Sequence, residues 1–256
     1  GEVARNLFAD AQTMLKQIVE ENWLDARATV GIFPASSDGD DVVVYSDNER
    51  QSEQQRLNFL RQQKPKAAGR HNRCLADYIA PVSSGLNDHI GLFAVPAGLR
   101  IEEKIKEYEQ AHDDYAAIML KALADRLAEA LAEHTHQRVR KTLWAYEPQE
   151  TLDNQALINE DYRGIRPAPG YPACPDHSEK EKIFALLDAE TNSKMKLTSG
   201  FAMLPASSVS GYYFAHPQSS YFVLGNILED QLLDYAARKN ISPEQAKRLL
   251  AANIVL

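Results

Sequence analysis

The sequence predicts an α+β fold, an antiparallel sheet carrying long helices. Three observations lead there. Apolar residues at helical spacing fill the amino end and a run from Leu99 to Glu147 that holds neither glycine nor proline. Short β-rich segments come in clusters and do not alternate regularly with helices. Turn residues join neighbouring segments closely enough for hairpins. With 256 residues, 44% hydrophobic and 25% charged, the chain has ample length for a sizeable core.

The elements follow in order. Val3, Leu7, Ala11, Met14 and Ile18 share one stripe, predicting an amphipathic helix from Glu2 to about Asn22. Val30–Pro34 and Asp41–Tyr45 read as strands joined by a Ser-Ser-Asp-Gly-Asp turn. Glu49 to Gln63 is polar, with Leu57–Leu60 suited to a short helix, and a basic loop runs from Lys64 to Arg73. Cys74–Ile79 is apolar and reads as helix or strand, whereas His89–Val95 is a buried strand. Leu99 to Glu147 predicts one long helix, with room for a bend. Asn154–Glu160 makes a short helix; Ser178 to about Glu190 makes another, with Ser178 as its cap and Glu181 completing a capping box. Lys196–Met203 and Val209–Phe214 pair as a hairpin, Tyr221–Leu224 is a third strand, and Asp230–Lys239 with Pro243–Ala252 forms a helical hairpin.

Between these elements lies Arg163–His177, fifteen residues with four prolines, two glycines, two arginines and one tyrosine. Each proline fixes φ, removes a donor and pushes its predecessor towards extended geometry, so the stretch is a stiff track. A connector between domains is the plain alternative. Its chemistry argues for binding instead: Arg166 suits an anion, Tyr171 a ring, and the backbone carbonyls are expected to stand open to a ligand, with Gly170 the point where backbone and ligand can approach.

Arg166-Pro-Ala-Pro-Gly-Tyr-Pro172, followed by Asp176-His-Ser-Glu-Lys180, resembles the signature of the activation domain of cobalamin-dependent methionine synthase. Two further blocks resemble the same family: Gln110–Tyr115 running into Lys121–Glu129, and Ser208–His216. The resemblance implies a single elongated or C-shaped domain over residues 1–256, part of a larger multidomain enzyme, whose upstream part is missing here together with an acidic residue for the ligand's amino group. It implies an S-adenosylmethionine site, for which Arg166 suits the carboxylate and Ala168, Gly170 and Tyr171 the adenine, with Tyr221 and Phe222 packing on the ligand, plain strand core being their alternative. Glu129 and Glu160 are the candidate carboxylates for the sulfonium, with a solvated surface glutamate as the alternative for each. The implied role is reductive methylation of cob(II)alamin to methylcobalamin, within an enzyme that moves a methyl group from 5-methyltetrahydrofolate to homocysteine. Cobalamin would be bound by a neighbouring domain of the same polypeptide and zinc only by the homocysteine domain, and a flavodoxin-type protein would donate the electron. On a chain of net charge −8 a patch for an acidic donor has to be local, and the Lys64–Arg73 loop is the candidate, with a plain solvated loop as the alternative. The track and the long helix would line the face meeting the cobalamin module. This domain would hold no metal and no catalytic residue of its own, and alone would not turn over.

Composition narrows the alternatives. A net charge of −8 argues against general nucleic-acid binding. No apolar run reaches the roughly 18 residues of a membrane span. Two distant cysteines, Cys74 and Cys174, fit a reducing, cytoplasmic setting. No Gly-x-Gly, Walker A or Gly-x-Ser-x-Gly sequence occurs, and His134 and His136 point to different helix faces. A stand-alone module that senses S-adenosylmethionine without methyl transfer is the alternative function; a purely structural interaction domain is a third.

Overall fold

The computed structural model of the chain describes residues 1–254. Helix α1 (Glu2–Glu21) ends on Asn22 in the left-handed region, whose N–H returns to the Ile18 carbonyl. Its predicted stripe is covered only towards the carboxyl end: Met14 and Ile18 are buried, Val3 and Leu7 exposed. Strands β1 (Thr29–Asp38) and β2 (Asp41–Tyr45) form the predicted hairpin. Ser36 and Ser37 belong to β1, opposite Val43 and Val42, so the turn narrows to Gly39-Asp40.

The next segment corrects the helical expectation. Glu53–Asn58 is a strand, β3, antiparallel to β2, and the Leu57–Leu60 stretch enters the core at its end. Leu57, Phe59 and Leu60 are at most 2% exposed, and pairing with the valine-rich β2 buries them better than an isolated helical turn. Cys74–Ile79 contains one 3₁₀ turn, Leu75–Tyr78, and the predicted buried strand is β4 (Asp88–Pro96).

The single long helix is also corrected. Helices α2 (Ile101–Gln110) and α3 (Asp114–Arg138) are separated where His112 takes φ 56°. The Asp113 carboxylate accepts from the Ala116 N–H at 3.0 Å, so a new helix is capped there. A π turn, Val139–Leu143, follows α3. Helix α4 (Asn154–Ile158) is capped by Asp153. Helix α5 (Glu179–Leu187) lacks the expected capping box: the Ser178 hydroxyl donates to Asp176 at 2.7 Å. Asp188, at φ 44°, stops α5 before one further turn, α6 (Ala189–Asn192).

Strand β5 (Lys196–Leu197) pairs with β6 (Met203–Leu204), not with β7 (Ser208–Tyr213) as expected. β7 sits at one end of a sheet ordered β3-β2-β1-β4-β7. Tyr212, Tyr213 and Phe214 are fully buried, which a two-stranded ribbon cannot provide. Tyr221–Leu224 is irregular and forms no strand. Helices α7 (Glu229–Lys239) and α8 (Pro243–Leu249) make the predicted carboxyl-terminal pair, with Ser242 accepting from the Gln245 N–H.

The chain forms two compact units. One comprises Gly1–Thr29, Ala94–Thr135 and Asp188–Val209; its core joins α1, α2 and α3 through Met14, Ile18, Ile101, Met119, Leu120 and Ala124. The other comprises Val30–Phe93, His136–Leu187 and Ser210 onward, and is built on the sheet. There Leu60, Leu224 and Ile227 pack on α7 and α8 through Leu232, Tyr235 and Leu250. Among the described residues no helix is long and apolar enough to cross a membrane.

Candidate ligand site on the proline-rich track

The track is a sheet edge and not a connector. Ile165 exchanges two backbone hydrogen bonds with Phe214, at 3.1 and 3.0 Å, and the Pro167 carbonyl accepts from the Tyr212 N–H at 2.9 Å. Pro167 gives this pairing its carbonyl alone, so its missing N–H costs nothing there. Beyond Pro167 the chain folds on itself: the Gly170 N–H donates to the Cys174 carbonyl at 2.8 Å and the Cys174 N–H to the Tyr171 carbonyl at 3.0 Å. Gly170 has φ 96°, and a Cβ there would lie 2.1 Å from the His177 ring, so both conformation and space demand glycine.

These bonds correct the expectation of open carbonyls. Ala168 O accepts from the Tyr171 N–H (3.2 Å) and the Cys174 thiol (3.0 Å), and Pro172 O accepts from the Leu224 N–H at 2.8 Å. The loop spends its acceptors on its own rigidity. At its end Asp176 accepts from the Tyr235 hydroxyl at 2.7 Å and faces the Lys239 ammonium at 3.1 Å. Burial pushes the Asp176 carboxyl up, but Lys239 and the Tyr235 and Ser178 hydroxyls outweigh it and hold it below its ordinary value.

The two arginines of the track diverge. Arg163 is structural, donating to the Ala215 carbonyl at 2.8 Å and pairing with Glu147 at 3.2 Å. Arg166 is half-buried; its guanidinium donates to the Tyr162 hydroxyl and its backbone N–H to the Tyr221 hydroxyl at 3.0 Å. That last bond explains why Tyr221–Leu224 is not a strand: Tyr221 reaches to Arg166, and the Leu224 N–H is taken by Pro172. Tyr171 and Tyr221 keep 59% and 42% of their surface exposed, large ring areas for an ordered segment. Phe222 lines a concavity of about 680 Å³ with Gln62, Lys66, Arg70, His71 and Arg73. Arg166, Ala168, Gly170, Tyr171, Tyr221 and Phe222 therefore share one unit, most of them joined by the bonds above. Glu160 is an exposed carboxylate at φ 58°, just past α4 in the same unit. Glu129 is exposed on α3 and belongs to the other unit.

Sequence reasoning missed what lies behind Arg166. The Tyr162 ring rests on the Arg140 guanidinium, with 3.8 Å from its carbon to the ring centroid, and makes a T-shaped contact with the His136 ring at 5.0 Å. Arg140 is fully buried and chelated by Glu150 at 2.5 and 2.9 Å. His136 stacks on Tyr213 at 4.9 Å and meets the Tyr146 hydroxyl at 3.2 Å. Tyr162, four positions before Arg166, carried a readable signal as a neighbour on the approach to the track; Arg140, Glu150 and His136 carried none.

Burial first, then the guanidiniums of Arg140 and Arg166, hold the His136 imidazole well below its ordinary 6.5. A depressed folded value means that the unfolded chain takes the proton first as pH falls. The stabilisation is therefore complete above about 6.5 and is lost progressively below it. His89 and His177 are lowered as well, each first by burial, and act in the same sense. The urea midpoint is expected to fall between about pH 7.5 and pH 5.5, and His136→Phe, which keeps a ring on Tyr213, should flatten that slope. An unchanged slope would assign the pH sensitivity elsewhere.

Two comparisons bear on this arrangement. The family described as "Vitamin B12 dependent methionine synthase, activation domain" matches residues 1–240. The crystal structure of the MetH reactivation domain bound to AdoHcy is 50% identical, with a TM-score of 0.97, covering 100% of this chain and 78% of that one. The α+β architecture agrees with that domain throughout. With its fold, its proline-rich track and both comparisons in agreement, the chain belongs to the vitamin B12-dependent methionine synthase activation domains.

Proposed function

We propose that the chain binds S-adenosylmethionine on the proline-rich track and presents its methyl group to a cobalamin held by a neighbouring domain. The observation that carries this reading is Arg166, a half-buried guanidinium fixed between a rigid loop that bears the exposed Tyr171 ring and the segment that bears the exposed Tyr221 ring. Kinship with a reactivation domain bound to AdoHcy supports the ligand class. Arg166 grips the carboxylate with two parallel N–H donors. Because the Ala168 carbonyl and the Gly170 N–H are already engaged, Ala168 contributes its N–H and Gly170 its carbonyl to the adenine. Tyr171, Tyr221 and Phe222 supply ring faces. Within the same unit Glu160 is the carboxylate offered to the sulfonium.

When bound by the neighbouring domain, cobalamin would supply the methyl acceptor, and a flavodoxin-type donor would supply the electron. The residues of this chain transfer no proton, since the departing thioether is neutral; they align the sulfonium and exclude water. Lys66, Arg70 and Arg73 give the donor a local positive surface on a chain of net charge −8. Without the cobalamin module the chain should bind but not turn over.

Calorimetric titration with S-adenosylmethionine tests the reading. Saturable one-to-one binding is expected, and Arg166→Ala should weaken it by about thirtyfold, roughly 2 kcal/mol. Equal affinity of the variant, or silence of the parent chain, would overturn it.

A further inference from the structure

We propose that Tyr162 is a positioning residue, whose hydroxyl, backed by the Arg140–Glu150 pair and His136, holds the Arg166 guanidinium ready for a carboxylate. The inference rests on the reading of Arg166 given above and adds the group that makes Arg166 effective.

An arginine side chain has many rotamers, and fixing one of them on ligand binding costs affinity. Here the fixing is done beforehand. The Arg166 Nη1 donates to the Tyr162 hydroxyl, and the backbone N–H of the same arginine donates to Tyr221, so both ends of the residue are held. Tyr162 is held in turn. The Arg140 guanidinium carbon stands 3.8 Å from its ring centroid, and the His136 ring meets it at 5.0 Å between centroids, with 83° between the ring planes. Neither support can yield easily. Arg140 has both Nε and Nη2 on Glu150, and its side chain has no exposed surface. His136 is fully buried, stacked on Tyr213 with 16° between planes and bonded to Tyr146. The order of support runs from the sheet strand through the buried pair to the tyrosine and then to the track. A neutral His136 also matters, because a third cation beside Arg140 and Arg166 would drive the arginines apart; burial and those same two guanidiniums keep it neutral.

The test compares S-adenosylmethionine with its decarboxylated analogue, which keeps adenosine, sulfonium and amine but lacks the partner of Arg166. The ratio of the two affinities isolates the carboxylate contact. Tyr162→Phe retains the ring on Arg140 and removes only the hydroxyl, so its melting temperature should match the parent. We expect it to bind S-adenosylmethionine about tenfold more weakly and the analogue unchanged, shrinking the ratio by the same factor. In the double variant with Arg166→Ala, Tyr162→Phe should cost nothing further, since the pair acts as one unit. Equal losses for both ligands would mean that Tyr162 merely supports the fold, and an unchanged ratio would mean that Arg166 is fixed without it; either overturns the inference. If Arg166→Ala removes the ratio while Tyr162→Phe preserves it, Tyr162 alone is misassigned. If Arg166→Ala preserves the ratio, the reading of Arg166 falls and the inference with it.

Discussion

Replacing Glu150 by alanine is expected to destabilise the second unit by about 3–5 kcal/mol, the largest effect of any single substitution considered. Arg140 has no exposed surface and Glu150 only 5%, and the carboxylate meets the guanidinium through two hydrogen bonds. Removing it strands a buried cation whose desolvation is no longer offset, and water reaches it poorly. The loss should appear as a lowered urea midpoint with an unchanged slope. Substituting both partners by apolar residues, Glu150→Leu with Arg140→Met, should recover much of the loss, because a neutral, well-filled site carries no such penalty. A single-variant loss below about 1 kcal/mol would show that water replaces the carboxylate without cost.

The second large effect is Gly211→Ala. Gly211 lies on β7 beneath the track, and a Cβ there would stand 2.4 Å from the Pro167 carbonyl oxygen and 3.1 Å from the Phe93 ring. The oxygen is backbone, tied to the Tyr212 N–H at 2.9 Å, so it cannot swing aside as the far end of a side chain could. The methyl group therefore lifts the track from β7 and carries the adjacent Arg166 with it. Overpacking of this kind costs about 1–3 kcal/mol, and ligand affinity should fall together with stability. Gly200→Ala is the control: its nearest neighbour would be 4.0 Å away, so the same chemical change should leave both quantities nearly unaltered. If Gly211→Ala matches that control in calorimetry and in denaturation, the close approach of track and strand has no energetic weight.

Several misreadings share one cause. The run from Leu99 to Glu147 contains no helix breaker, so propensity alone favoured one helix; the break comes from His112 in the left-handed region and the capping carboxylate of Asp113. The His-Asp-Asp sequence there was a legible cap, outweighed by the absence of glycine and proline. Leu57–Leu60 looked helical because a four-residue apolar run has no clear period, and the neighbouring valines of β2 decided for strand. Ser178 satisfied the capping pattern, yet its hydroxyl found the nearer Asp176.

Local composition, by itself, determined the rigid track, because four prolines in fifteen residues restrict the backbone wherever they are placed. It likewise determined the β1–β2 hairpin, the buried β4 and the terminal helical pair, whose signals lie within a few residues of one another. It marked Arg166 and Tyr171 as binding chemistry on a stiff support. Tertiary structure alone decided that Arg163 is consumed by Ala215 and Glu147 while Arg166 is held by Tyr162 and Tyr221. It also decided that β7 completes the large sheet and that Arg140, Glu150 and His136 stand behind the track. The physical reason is range: a proline acts on its own bond and its neighbour's, whereas a buried ion pair or a stacked ring exists only once distant segments have been packed together.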